Sequence, residues 1–136
     1  MKVIVDTDVW SEALRRKKGK KSAHVDELVD LIQEGRIEII GPIRMEVLSG
    51  IRERQVFDSF SERLAAFPDS AIPSEVYVLA ARFFNLCRSN GIQGSNTDFV
   101  ICACSVHWNI PILSKDKDYL LYKKHIPIEL IQPRKK

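Results

Sequence analysis

The chain opens with a short unbroken apolar run, Val3-Ile4-Val5, that ends in an acid, Asp6. Runs of this kind mark strands buried on both faces, usually in parallel sheets. Burying an unpaired carboxylate is costly, so the strand is predicted to stop before Asp6. Val9 to Leu14 then reads as a short helix with Asp8 as its cap, broken by a Lys-rich run that contains Gly19. Ser22 opens a second helix, Ala23 to Gln33, with Val25, Leu28, Val29 and Ile32 at helical spacing and Glu34-Gly35 at its end. Ile37 to Ile40 reads as a strand that Gly41-Pro42 stops.

The remaining pattern continues the alternation. A third helix is predicted from Ile43 to Gly50, with Met45 and Leu48 toward the core and Glu46 amid apolar neighbours. Val56 to Phe67 follows, with Phe57, Phe60, Leu64 and Phe67 on one side and Pro68 closing it. Ser74 is the expected cap of a long helix, Glu75 to Ser89, whose inner face is Val76, Leu79, Ala80, Phe83 and Leu86. Asn96 or Thr97 caps the helix Phe99 to His107 and leaves Asp98 in the first turn. Ile110 to Leu113 is a strand with Asp116 just past it, and a short turn through Tyr119 leads to a last apolar segment, Ile126 to Ile131.

Strands alternating with helices predict an α/β domain: a central, mostly parallel twisted sheet flanked by helices. A length of 136 residues suits one domain, 1–136, with a basic tail at 133–136. The net charge of +3 is a mild bias, but it is unevenly placed. Arg15, Arg16, Lys17, Lys18, Lys20 and Lys21 crowd into seven positions. That run reads either as a solvated loop or as a surface that draws phosphate toward a site. Cys87, Cys102 and Cys104 form no disulfide framework and no zinc motif, so buried reduced thiols and a cytoplasmic setting are expected. Nothing resembles a signal peptide or a membrane span.

The chemistry-bearing candidates are Asp6, Glu46, Asp98 and Asp116, with Asp8 and Asp118 as seconds. Each has a plain structural explanation as a turn residue or a helix-terminal acid. Jointly they fall at strand ends and helix starts that a right-handed crossover brings to one sheet edge. Crowded carboxylates repel one another unless something positive joins them. Mg²⁺ or Mn²⁺ would do so, since both prefer oxygen ligands and also bind phosphate. No His lies beside an acid in these motifs, which leaves a His-based general acid little support.

Four stretches resemble the PIN-domain family, and within it the VapC-like toxins of VapBC toxin–antitoxin pairs. They are Val3 to Trp10, Glu46 to Gly50, Thr97 to Ala103 and Ile112 to Tyr119. The resemblance implies a Mg²⁺- or Mn²⁺-dependent endoribonuclease with Asp6, Glu46, Asp98 and Asp116 as its acids. Asp6 and Asp98 would be direct metal ligands, with Glu46, Asp116, Asp118 and Asp8 as further candidates. It also implies an RNA substrate, a homodimer and a VapB-type antitoxin as partner. Asp8 departs from the small polar residue usual in the family. Two other readings stand beside this one: a non-catalytic or RNA-processing PIN module, and a haloacid-dehalogenase-like phosphatase with Asp6 as nucleophile, because Asp6-Thr7-Asp8 also begins that motif.

Overall fold

A computed structural model describes residues 1–15 and 19–135. The elements in order are β1 (Val3–Val5), α1 (Thr7–Arg15), α2 (Ala23–Gln33), β2 (Ile37–Glu38) and α3 (Gly41–Leu48). They continue with α4 (Arg54–Leu64), α5 (Ser74–Ser89), α6 (Asn96–Trp108), β3 (Ile112–Leu113), α7 (Asp118–Tyr122) and β4 (Leu130–Ile131). The four strands form one parallel sheet in the order β2-β1-β3-β4. This confirms the α/β class and the parallel sheet read from the alternation.

The order sets where a ligand can bind. The chain leaves β1 toward one side to make β2, then crosses to the other side for β3 and β4. The crevice between β1 and β3 is therefore the topological switch point, and its open end lies past the carboxyl ends of the strands. Ile4 pairs with Ile112 and Val5 with Leu113, so Asp6 stands beside Ser114. Asp6 N–H donates to the Leu113 carbonyl at 2.9 Å, which pins the first acid to the end of β3.

All three residues of β1 and both of β3 are fully buried. α6 is buried through Phe99 and Ile101 to Ser105, so it is an internal helix, apolar on nearly every side. α5 packs along it through Ala80, Phe83 and Cys87. The three thiols are buried and unpaired, as expected.

Several element details differ from the sequence reading. β2 ends at Glu38, and Pro42 lies in the first turn of α3 instead of stopping a strand, because a proline at a helix start costs no hydrogen bond. Met45 is 63% exposed; Ile43 and Val47, one turn apart, make the buried stripe, and Met45 falls on the opposite side. α4 begins and ends earlier than expected, and Phe57 lies outside its buried pair Phe60 and Leu64. Leu86 is exposed because Cys87 takes the inward position at the end of α5. Ser74 and Asn96 are the first residues of their helices, and Pro73 and Ser95 precede them as caps.

Candidate active site

Asp6 follows β1 directly and is 5% exposed. Its Oδ1 accepts the Thr7 N–H at 2.8 Å and its Oδ2 accepts the Ser114 hydroxyl at 2.7 Å. Burial pushes its pKa up to about 7, the Ser114 bond opposes that shift, and the neighbouring Asp8 charge adds to it. α1 starts at Thr7, two residues earlier than the sequence suggests, so Asp8 sits inside the first turn and does not cap it. Asp8 instead reaches across the crevice: its Oδ2 accepts the Lys115 N–H at 3.0 Å. Its Oδ1 is buried with no hydrogen-bond partner among the described residues. Burial raises the Asp8 pKa too, against the Lys115 bond.

Asp98 comes from the far side, in the first turn of α6, as expected. Ser95 caps that helix by accepting the Asp98 N–H at 3.1 Å. Tyr122 of α7 donates its hydroxyl to Asp98 Oδ2 at 2.6 Å, and the Tyr119 hydroxyl lies 3.5 Å from Oδ1. Both tyrosines are almost completely buried. Burial raises the Asp98 pKa, the Tyr122 bond lowers it, and the charges of Asp116 and Glu46 raise it further.

Asp116 is exposed on the turn between β3 and α7. Its N–H donates to Ser114 Oγ at 3.0 Å, and its Oδ1 accepts the Asp118 N–H at 2.9 Å. Ser114 thus holds Asp6 with its hydroxyl proton and Asp116 through its oxygen. Glu46 is exposed on α3 and reaches the group only through its field on Asp98. Asp118 is exposed at the start of α7 and contacts the group through the Asp116 turn. The structure therefore unites Asp6, Asp8, Asp98 and Asp116, and leaves Glu46 and Asp118 at the rim.

Several site residues are missed by pattern reading. Tyr119 and Tyr122 look like core aromatics, and only their spacing of three along α7 places both hydroxyls on one side. Ser95 is findable, because a Ser three residues before an acid is a capping signal. Of the basic run, Arg16, Lys17 and Lys18 lie outside the described residues, as does Lys136 of the tail. Arg15 ends α1 with its guanidinium 5.7 Å from the Phe60 ring centroid, and Lys20 and Lys21 are exposed.

Among the described residues, no three or more His, Cys, Asp or Glu side chains form a ready-made metal cage. The donor set still suits a hard divalent cation of the magnesium type, which is commonly held by one or two carboxylates while keeping several waters. Two observations carry that fit. The acids raise one another's pKa, and Asp8 Oδ1 is buried without a donor. Among the described residues, no helix is long and apolar enough to cross a membrane.

No family model matches the chain, and no curated protein matches it. Solved structures do. FitAcB from Neisseria gonorrhoeae is 17% identical with a TM-score of 0.70, over 96% of this chain and 97% of that one. VapBC2 from Rickettsia felis, bound to a DNA fragment from their promoter, is 15% identical with a TM-score of 0.76, over 96% and 98%. FitAB bound to an IR36 DNA fragment is 17% identical with a TM-score of 0.72, over 96% and 94%. These findings correct the family assignment drawn from the four motifs. The chain is not shown to be a VapC-like PIN toxin: no family model matches its four motifs, and the similar solved chains come from FitAcB, VapBC2 and FitAB at 15–17% identity. What the chain shares with these proteins is its α/β fold, along nearly its whole length.

Proposed function

We propose that this chain, with a PIN-like fold, is a divalent-metal-dependent endoribonuclease that works within a toxin–antitoxin system. The observation that supports it most is the convergence of Asp6, Asp8, Asp98 and Asp116 from separate segments onto the switch-point crevice. An unneutralised group of this kind costs stability, and proteins retain such groups where they have chemical work to do. The system-level part rests on the complexes that share its fold. A second copy of the chain and a cognate protein partner complete the proposal.

Asp6 and Asp98 are the proposed metal ligands, with Asp116 and Asp8 beside them and Glu46 and Asp118 at the rim. A bound Mg²⁺ or Mn²⁺ makes a water more acidic and neutralises charge on the phosphoryl oxygens. The chain's own residues do the positioning. Ser114 and the Thr7 amide hold Asp6, the Tyr122 hydroxyl holds Asp98, and the Lys115 amide holds Asp8. These bonds fix the carboxylates before substrate arrives, which is how outer contacts tune a metal site.

The test is cleavage of a mixed RNA pool with Mg²⁺, with Mn²⁺ and with EDTA, beside Asp6→Asn and Asp98→Asn. Cuts that need the metal and vanish in both folded variants support the reading. Cutting that persists in EDTA, or a folded parent chain that cuts no RNA under any condition, overturns it.

A further inference from the structure

Beside the acids lies a second feature, which of the four carboxylates only Asp116 lines. A cleft of about 270 Å³ opens at the carboxyl ends of β3 and β4. Ser114 and Asp116 form one of its walls, so whatever fills it lies next to the acid group. Its size falls just under the roughly 300–1,000 Å³ of sites for drug-sized ligands, which suits one small planar unit.

We propose that this cleft holds one nucleotide of the RNA strand, its base against Leu120 and the Gln132 amide and its phosphate on Lys117 and His24. The proposal rests on the nuclease reading and names how the strand is held at that site. Phosphate cannot rest on the acids alone, because like charges repel. Lys117, Lys115 and His24 supply the nearest positive or proton-donating groups along the cleft. Lys115 is already committed, with its Nζ 2.7 Å from Glu12 Oε2. Lys117 and His24 have no side-chain partner among the described residues.

The base end is built differently. Leu120 is 56% exposed and lines the cleft, so its side chain offers the apolar contact that a base face would cover. Gln132 follows β4 directly and lines the same cleft, and its amide has no partner among the described residues. A side-chain amide offers a donor and an acceptor together, the pairing that reads a base edge. Unpaired RNA exposes those edges, whereas a helix hides them. The cleft therefore selects a single-stranded segment and one base next to the cut.

The test uses the full chain carrying Asp98→Asn, so that the strand stays intact, with labelled single-stranded RNA hexamers that differ at one position. Lys117→Ala is expected to weaken binding about 5- to 10-fold and to reduce the salt slope by about 1. Gln132→Leu is expected to bind all hexamers alike where the Asp98→Asn chain prefers one. Amide shifts on adding a hexamer should fall on Gln132, Lys117 and Leu120. Variants that bind every hexamer as the Asp98→Asn chain does overturn the proposal. So does a free nucleoside monophosphate that shifts these residues as strongly as a hexamer, since the occupant would then not be the strand. Cutting by the chain with native Asp98 that Gln132→Leu and Lys117→Ala leave unchanged in pattern and KM sinks the cleft while the nuclease reading stands. Binding at the cleft without any metal-dependent cutting supports the cleft and sinks the nuclease.

Discussion

A Cβ at Gly94 would lie 2.2 Å from the Tyr122 hydroxyl oxygen and 2.8 Å from its ring Cζ. No side chain can occupy that space while Tyr122 keeps its place. Gly94 is thus required by the end of the Tyr122 ring with the hydroxyl that holds Asp98, and by the Phe99 ring edge 3.0 Å away, not by its own backbone. Gly94→Ala is expected to destabilise the fold by about 1–3 kcal/mol, the usual cost of overpacking. The cost should shrink in part in a Tyr122→Phe background, where the nearest clashing atom is gone and the ring Cζ remains. Both single changes should weaken Mn²⁺ binding by about 10- to 100-fold, the usual effect of losing an outer contact to a ligand. Urea melts and calorimetric Mn²⁺ titration check this. Equal costs of Gly94→Ala in the two backgrounds would break the link between Gly94 and Tyr122.

Asp6 makes stability depend on pH. Its folded-state pKa is about 7, against an ordinary 3.8, because burial disfavours the charged form. The folded chain therefore holds the proton more tightly than the unfolded chain. The contribution to stability is fully present below about pH 4 and is lost as pH rises through about 7, for a total on the order of 4 kcal/mol. The metal-free chain should melt higher at pH 5 than at pH 8, and Asp6→Asn should flatten that difference. Mg²⁺ at 100 times its Kd should return about 2.7 kcal/mol at pH 8 by mass action. Identical pH profiles for the parent and Asp6→Asn would mean that Asp6 is not the group responsible.

Much of this was legible in the sequence. The apolar run before Asp6 and the alternation of strands with helices were enough for a parallel sheet with acids at its carboxyl edge. The place of Asp98 in the first turn of α6 is legible, because capping residues before an apolar helix are a local signal. The helical setting of Glu46 is legible too, but its exposed place at the rim depends on how α3 packs, which spacing does not encode. A Ser just past a strand suggests a bond to the acids, which Ser114 makes to Asp6, but the roles of Tyr122 and Gly94 are not legible, since each depends on a contact between segments distant along the chain. Asp8 shows the limit most clearly. A residue three past a strand reads locally as a helix cap, and only the register between β1 and β3 brings the Lys115 amide to it.

Asp8 separates charge from hydrogen bonding. Its Oδ2 accepts the Lys115 N–H, a role that an asparagine oxygen can also fill. Asp8→Ala should cost about 0.5–1.5 kcal/mol, the net worth of that hydrogen bond, and Asp8→Asn well under half of that. Asp8→Asn also removes a negative charge that raises the Asp6 pKa. The Asp6 carboxyl, followed by its ¹³C shift, should then titrate below 7 in the variant. An unchanged or higher midpoint would mean that the two carboxylates do not feel one another.

The end of the described chain is fastened by a buried acid. Glu27, in the middle of α2, is 3% exposed. It accepts the Arg134 backbone N–H at 2.8 Å and the Arg134 Nε at 2.9 Å, while Arg134 Nη2 lies 2.8 Å from Glu34 Oε2. Removing one partner of a buried pair strands the other charge, at about 3–5 kcal/mol when no water can reach it. Arg134 is nearly half exposed, so water reaches this pair and Arg134→Ala should cost well below that. Adding Glu27→Gln should recover part of the loss, because the stranded charge is then gone. Gln132 lies two residues before Arg134, so loosening the tail should also weaken RNA binding at the cleft. If Arg134→Ala unfolds at the same urea concentration as the parent, the pair does not anchor the tail. In that case β4 alone must hold Gln132 in place.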